Sequence, residues 1–352
     1  MLKPFQQVVS QLRAWRPPRE CLRIEALDMH TAGEPLRIVL DGWPDLVGAT
    51  MLERRRYARE RLDDLRAALM LEPRGHADMY GALITPPVSP EADFGVLFMH
   101  NEGYSTMCGH GVLALVRAAV ETGMVDVTEP ETTIRIDTPA GLVTGHATVE
   151  DGRYIGGRFL NVPSFVLELD AHVQVPGLGT VRYDLAFGGA FYAHVQAADV
   201  AVELVPGSVR ELIDLGTRIK RAVMESREIQ HPTEPDLGFL YGVIFIGPPH
   251  GDGAHSRNVC IFAEGEVDRS PTGTGVSSRL AIHHARGEIE VGEPIVIESI
   301  LGTRFTGRVD RVTAFEGTDA VIPEVSGEAH VTGRNVFYID PDDLLRDGFM
   351  LR

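Results

Sequence analysis

"MCGHGV" at residues 107–112 and "PTGTGV" at residues 271–276 are one turn written twice. Each places two glycines one residue apart, directly ahead of a helical pattern: "LALVRAA" (113–119) in the first case, "SSRLAIHHA" (277–285) in the second. Laid over each other at an offset of 164 residues, Cys108 falls on Thr272. The same offset holds without a gap to "GMVDVTEP" (123–130) against "GEIEVGEP" (287–294), where Gly, Val and Glu-Pro coincide. A small shift then brings "TG" at 144–145 onto "TG" at 306–307. Short Gly-rich turns match by chance; a match that runs on through helix and strand does not. The period far exceeds the roughly 20–50 residues of a solenoid repeat, so the chain reads as two homologous α/β units.

The flanking segments keep the same order in both halves. Short β-type runs, "LRIEALDMHTAGEPLRIVLDG", "MYGALITPPV" and "FGVLFMH", precede the first turn, and "TTIRIDTPAGLVTGHATVE" follows its helix. In the second half "YGVIFIGPP" and "HSRNVCIFAEG" precede the turn and "PIVIESILGTRFTGRV" follows.

Composition narrows the function classes. The 352 residues suit two domains, and 44% hydrophobic content supplies ample core for a soluble protein. No apolar run is long enough to span a bilayer, so no membrane partner is expected. A net charge of −17 repels phosphate backbones and argues against nucleic acid as a partner. The arginines of "ERRRYARERLDDLRAAL" (53–69) alternate with acids at helical spacing, which predicts a solvated amphipathic helix. Cys21, Cys108 and Cys260 cannot pair without a leftover thiol, so a reducing compartment, the cytoplasm, is expected. The first 19 residues carry four cationic side chains and no acid but lack an apolar stretch and cleavage site of secretory type. Residues 1–20 are therefore read as a helical extension, with an organelle presequence as the alternative.

Both Gly-rich turns open a helix, where the first N–H groups lack intrahelical partners and the dipole end is positive. Glycines at 109, 111, 273 and 275 let a ligand approach the backbone closely. Two such termini facing each other would hold one small anion, most simply a carboxylate. Neither turn is a phosphate-binding P-loop or a dinucleotide fingerprint, because the Gly-Lys-Ser/Thr and the third glycine are missing. A thiol at a helix start has its pKa lowered from about 8.5 toward neutrality, which makes Cys108 a candidate thiolate. Cys260, inside apolar "NVCIFA", and Cys21 read instead as buried small hydrophobes. No metal site is expected: there is no C-x-x-C or H-E-x-x-H, and His283 and His284 point apart on their helix.

At these residues the sequence resembles the proline racemase family, whose relatives in fold include diaminopimelate epimerase. The matching motifs are "DMHTAGEP" (28–35), "MCGHG" (107–111), "NVPSF" (161–165), "FGGAFYA" (187–193) and "DRSPTGTG" (268–275), in order from about residue 21 to the C-terminus. The resemblance implies an α/β (α+β) fold of two pseudo-symmetric domains, each a curved sheet around a central helix, with the active site between them and no cofactor. It divides the chain into residues 21–158 plus 329–352 and residues 159–328.

Racemases of this family use two cysteines, one on each face of Cα. Carried over, the first is Cys108; the second falls on Thr272, a departure from the racemase pattern. A threonine hydroxyl is not an acid or base near pH 7, so two-base racemisation loses its second partner. The Cys/Thr pair resembles the trans-3-hydroxy-L-proline dehydratase branch. That resemblance implies a hydro-lyase. The α-hydrogen and the 3-hydroxyl share a ring face, so we expect Cys108 to remove the α-proton and the thiol so formed to protonate the departing hydroxide, with His110 or another group as the alternative donor. By the same resemblance, Gly109, His110, Gly273 and Thr274 offer backbone N–H groups to the substrate carboxylate, and Asp268 pairs with the ring ammonium.

The bland alternatives stand beside these roles. His110 orients Cys108, or caps and packs; Thr272 bonds substrate, or caps the second helix; Asp268 is otherwise an ordinary turn aspartate. His30 lines the cleft or holds a turn and is left out of the site, and Tyr104 is read as core. The competing functions are a racemase or epimerase that tolerates Thr272, and a non-catalytic amino-acid-binding protein. The partner expected is a small hydroxyproline-like substrate; the sequence leaves open whether the chain forms a homodimer.

Overall fold

The structure, a computed structural model, describes residues 4–351. Its two halves repeat not only elements but pairing rules. Most neighbouring strands are antiparallel, yet each half contains two parallel pairings at equivalent places. Glu34–Asp41 runs parallel to Tyr80–Thr85, as Phe191–Gln196 does to Leu240–Gly247. Phe94–His100 runs parallel to Glu131–Thr138, as Ser256–Phe262 does to Ile295–Glu298. Between the members of the second pair, in each half, lies one central helix: Gly109–Thr122 and Gly273–Ala285.

Those helices are apolar nearly all round because sheet surrounds them. The first packs on Leu22–Thr31, Gly141–Glu150, Arg153–Leu160 and Ala329–Ile339; the second on Ser164–Val175, Gly179–Phe187, Arg304–Phe315 and Thr318–Gly327. Val112, Leu113, Leu115 and Val116 are fully buried, each burial stabilising by roughly 1.5–3 kcal/mol. The repeated "TG" has its reason here. A methyl on Gly145 would lie 2.3 Å from Val116, and one on Gly307 would lie 2.7 Å from Val276, so each sheet yields space to its helix at that position. The halves are joined by Thr318–Gly327, which pairs antiparallel with Arg153–Leu160. The strand Ala329–Ile339 returns to pair along the whole of Leu22–Thr31.

The N-terminal segment forms a helix, Phe5–Ala14, with no buried residue. No helix among the described residues is long and apolar enough to cross a membrane. The arginine-rich stretch departs from expectation. It is two helices, Met51–Arg61 and Asp63–Met70, opened by a Thr50–Glu53 capping box and interrupted at Leu62. Nor is it wholly solvated. Arg55 donates to the Tyr104 carbonyl at 2.9 and 2.7 Å, and Arg66 donates to the carbonyls of His100 and Asn101. These guanidiniums tie both helices to the tight hairpin, residues 94–104, that leads to Cys108.

Candidate active site

The two central helices meet start to start. A methyl on Gly109 would sit 2.6 Å from Gly273 Cα, and one on Gly273 would sit 2.8 Å from Gly109 Cα, so only glycine at both positions permits the approach. The first-turn amides of both helices, without intrahelical acceptors, therefore converge on one place. Cys108 occupies the N-cap of the first helix with φ of −145°, and its Sγ accepts the Gly111 N–H at 3.3 Å. Thr272 occupies the N-cap of the second with φ of +65°. That left-handed conformation is strained for a β-branched residue and costs on the order of 1–3 kcal/mol. The capping bond open to Thr272 from sequence is not made: its Oγ1 is buried without a hydrogen-bond partner among the described residues.

Around the junction lies a small cavity of about 20 Å³. All seven residues singled out from sequence line it: Cys108, Gly109, His110, Asp268, Thr272, Gly273 and Thr274. Glu34, Tyr80, Tyr192, Tyr241 and Cys260 line it as well. Tyr192 Oη lies 2.7 Å from Thr274 Oγ1, and Tyr80 Oη donates to Ser105 Oγ at 2.7 Å while lying 3.0 Å from Tyr241 Oη.

A proline racemase family profile matches residues 26–350. The chain is 48% identical over 355 residues to a trans-3-hydroxy-L-proline dehydratase from Colwellia psychrerythraea, covering all of both chains. It is 45% identical over 330 residues to a proline racemase from Clostridioides difficile, covering 94% of this chain and 98% of that one. A hydroxyproline epimerase from Agrobacterium vitis, solved with bound trans-4-hydroxy-L-proline, superposes with a TM-score of 0.88 at 33% identity, covering 94% of this chain and 96% of its own. The chain belongs to the proline racemase family.

Within this family member, burial reverses one sequence expectation. The helix start was expected to lower the Cys108 pKa. Burial instead pushes the thiol well above its ordinary value; the Gly111 N–H pulls the other way and is outweighed, while Asp268 and Glu34 add to the rise. His110 is the thiol's neighbour, with Nδ1 3.1 Å from Sγ. Its Nε2 lies 3.2 Å from the Pro35 carbonyl, which can only accept, so Nε2 carries the proton and bare Nδ1 faces the thiol. Burial pulls the imidazole pKa down to about 3, so the ring is neutral. His110 thus lies within hydrogen-bond distance of both Cys108 and the Pro35 carbonyl.

Burial likewise pushes the Asp268 carboxyl up to about 6, against the Ser270 N–H that donates to it at 2.7 Å. Asp268 thus holds its turn and faces the cavity at once. Burial at this site thus disfavours the charged forms of Cys108, His110 and Asp268 alike.

Cys260 is core as expected and borders the cavity as well. It is only 1% exposed, yet it lies beside Thr272 and Asp268 in the lining. His30 holds a turn, its Nδ1 accepting the Gly33 N–H at 3.3 Å, and its ring packs on His330. Tyr104 is core as expected. Glu34 and Tyr192 lie inside quoted motifs, so proximity to "DMHTAGEP" and "FGGAFYA" was the signal for them. Tyr80, Tyr241 and Cys260 lie in strands whose sequence reads as plain core.

Proposed function

We propose that this chain dehydrates trans-3-hydroxy-L-proline to Δ1-pyrroline-2-carboxylate, as a hydro-lyase without a cofactor. The observation that carries the reading is the asymmetry of the two helix starts: a thiol that caps one, and on the other a hydroxyl that makes no capping bond. In trans-3-hydroxy-L-proline the 3-hydroxyl lies across the ring from the carboxylate and therefore shares a face with the α-hydrogen. Cys108 on that face takes the α-proton, the 3-hydroxyl leaves as water, and the Δ2 enamine tautomerises to the imine. The amides of Gly109, His110, Gly273 and Thr274 receive the carboxylate, where negative charge grows in the transition state. Asp268 pairs with the ring ammonium. Thr272 stands at the other helix start, where a second base would be needed for inversion.

The elimination is redox-neutral overall, and the three unpaired cysteines suit a reducing compartment such as the cytoplasm. The test is an assay of purified protein against trans-3-hydroxy-L-proline, trans-4-hydroxy-L-proline and L-proline, following imine with o-aminobenzaldehyde and stereochemistry by chiral separation. Imine from the first substrate alone is expected. Inversion of proline or 4-hydroxyproline without imine would sink the reading.

One observation favours a second reading, a 2-epimerase: Cys260 brings another thiol to the cavity wall beside Thr272. Loss of inversion in a Cys260→Ala protein would identify it. A binding protein would show no turnover in either assay and unchanged substrate affinity in Cys108→Ser.

A further inference from the structure

The dehydratase reading leaves one proton unaccounted for: the one that turns the departing 3-hydroxyl into water. Glu34 opens the strand Glu34–Asp41 just after the turn that follows Thr31. That hairpin grips the residue two places from Cys108 on both sides. Thr31 Oγ1 donates to the His110 carbonyl at 2.8 Å, and the Pro35 carbonyl accepts from His110 Nε2 at 3.2 Å. Glu34 is thereby fixed relative to the thiol. Its side chain is fully buried and lines the same cavity as Cys108 and Asp268. The two oxygens differ. Oε2 accepts the Arg269 backbone N–H at 2.7 Å and lies 3.6 Å from the Arg269 guanidinium. Oε1 has no partner among the described residues. Leaving a buried oxygen unpaired is costly, so an apolar side chain would serve packing better.

We infer that Glu34 is the general acid of the dehydration, donating the Oε1 proton to the 3-hydroxyl as it leaves. This rests on the dehydratase reading and replaces the single-thiol scheme, in which Cys108 serves both steps. The balance closes. The Cys108 thiolate takes the α-proton, the C–H electron pair forms the C2=C3 bond, and the C3–O pair leaves on oxygen. Oxygen takes the Glu34 proton and departs as water. The enzyme is left with a Cys108 thiol and a Glu34 carboxylate, and one proton passed from the first to the second restores it. The electrostatics agree with this division. Burial, with Asp268 adding to it and Arg269 opposing, raises Glu34 well above the usual carboxylate range, whereas Asp268 reaches only about 6. Two acids in one cavity whose environments push them apart divide into a proton donor and an anion.

The experiment compares two substrates. Trans-3-chloro-L-proline has the same stereochemistry, but chloride leaves without a proton. Glu34→Gln, which keeps an acceptor for the Arg269 N–H, is expected to slow dehydration of trans-3-hydroxy-L-proline by about 10²–10⁴-fold in kcat. It should eliminate chloride at close to the wild-type rate. Equal losses on both substrates, or a raised KM with kcat preserved, would overturn the assignment. If the variant does not fold, the wild-type pH profile decides. The charged and titratable groups facing Glu34 are Asp268, Arg269, Asp78 and the thiols of Cys108 and Cys260. Their titration affects both substrates, whereas loss of the Glu34 proton removes activity at alkaline pH with the hydroxy substrate alone. Identical alkaline limbs would overturn the inference. Wild-type protein that turns over neither substrate would instead overturn the dehydratase reading itself.

Discussion

At the first helix start Cys108 lies in extended backbone and its sulfur accepts the Gly111 amide; at the second, Thr272 is twisted to φ of +65° and its hydroxyl accepts nothing. Around them the scaffold is nearly the same. Gly109 faces Gly273, Gly145 lies under one helix as Gly307 lies under the other, and the parallel strand pairings recur. Matched parts do matched work: two sets of first-turn amides converge where one carboxylate can sit. The chemistry is carried by the place where the copies differ. A symmetric cradle with asymmetric side chains suits a reaction that needs proton abstraction on one face only.

The sharpest way to break this comparison is to remove the thiol. Cys108→Ser should lower imine formation by ~10⁴-fold or to background, since an alcohol gives up its proton far less readily than a thiol in the same place. Activity within tenfold of wild type would mean another group is the base.

The cradle is next. Gly109→Ala or Gly273→Ala drives a methyl into the facing backbone at 2.6 or 2.8 Å. Overpacking of this kind costs typically about 1–3 kcal/mol. A lower Tm is expected, together with loss of affinity for pyrrole-2-carboxylate, a planar carboxylate analogue, by calorimetry. Unchanged affinity would show that the two helix starts do not share the carboxylate.

Thr272→Cys would make the two starts chemically alike. Inversion at Cα of proline or hydroxyproline, absent before, should become measurable by chiral separation. Failure to gain any inversion in a folded, dehydration-competent variant would show that residue 272 does not face Cα.

The smallest effect concerns pH. If, as proposed, Asp268 pairs as a carboxylate with the substrate ammonium, kcat/KM should fall as pH drops through about 6, and Asp268→Asn should remove that limb along with much of the affinity. Stability runs the opposite way. A folded-state pKa of about 6 exceeds the ordinary carboxylate value of about 3.9, so the folded state holds the extra proton between them. The Asp268 contribution is therefore fully present below about 4 and is lost as pH rises through about 6. Thermal melts of wild type and Asp268→Asn across that window would show whether the slope belongs to this residue.

Much of the site was legible because it is local. Residues 107–112 and 268–274 each bring several cavity-lining residues within a single turn, and their repetition marked both turns as parts of one device. Strand order, the two helices and the helical N-terminal segment follow from periodicity and glycine placement. The arginine-rich stretch was read less well. Its spacing fits a solvated helix, but Arg55 and Arg66 bond to carbonyls 49 and 34 residues away, which no local pattern records. Cys260 is the buried residue its apolar strand predicts, but strand sequence does not say which face also meets a cavity.

Sequence alone determined the repeat, the two glycine-flanked helix starts and the substitution of threonine for a second cysteine. These depend only on residue identity and spacing. Tertiary structure decided the protonation of the site and the aim of its side chains. Burial overcame the helix-end effect on Cys108, while the folded backbone leaves Thr272 without a capping bond and Glu34 Oε1 without a partner among the described residues. Desolvation sums over every atom packed nearby, most of them distant in the chain, and only the folded arrangement supplies that sum.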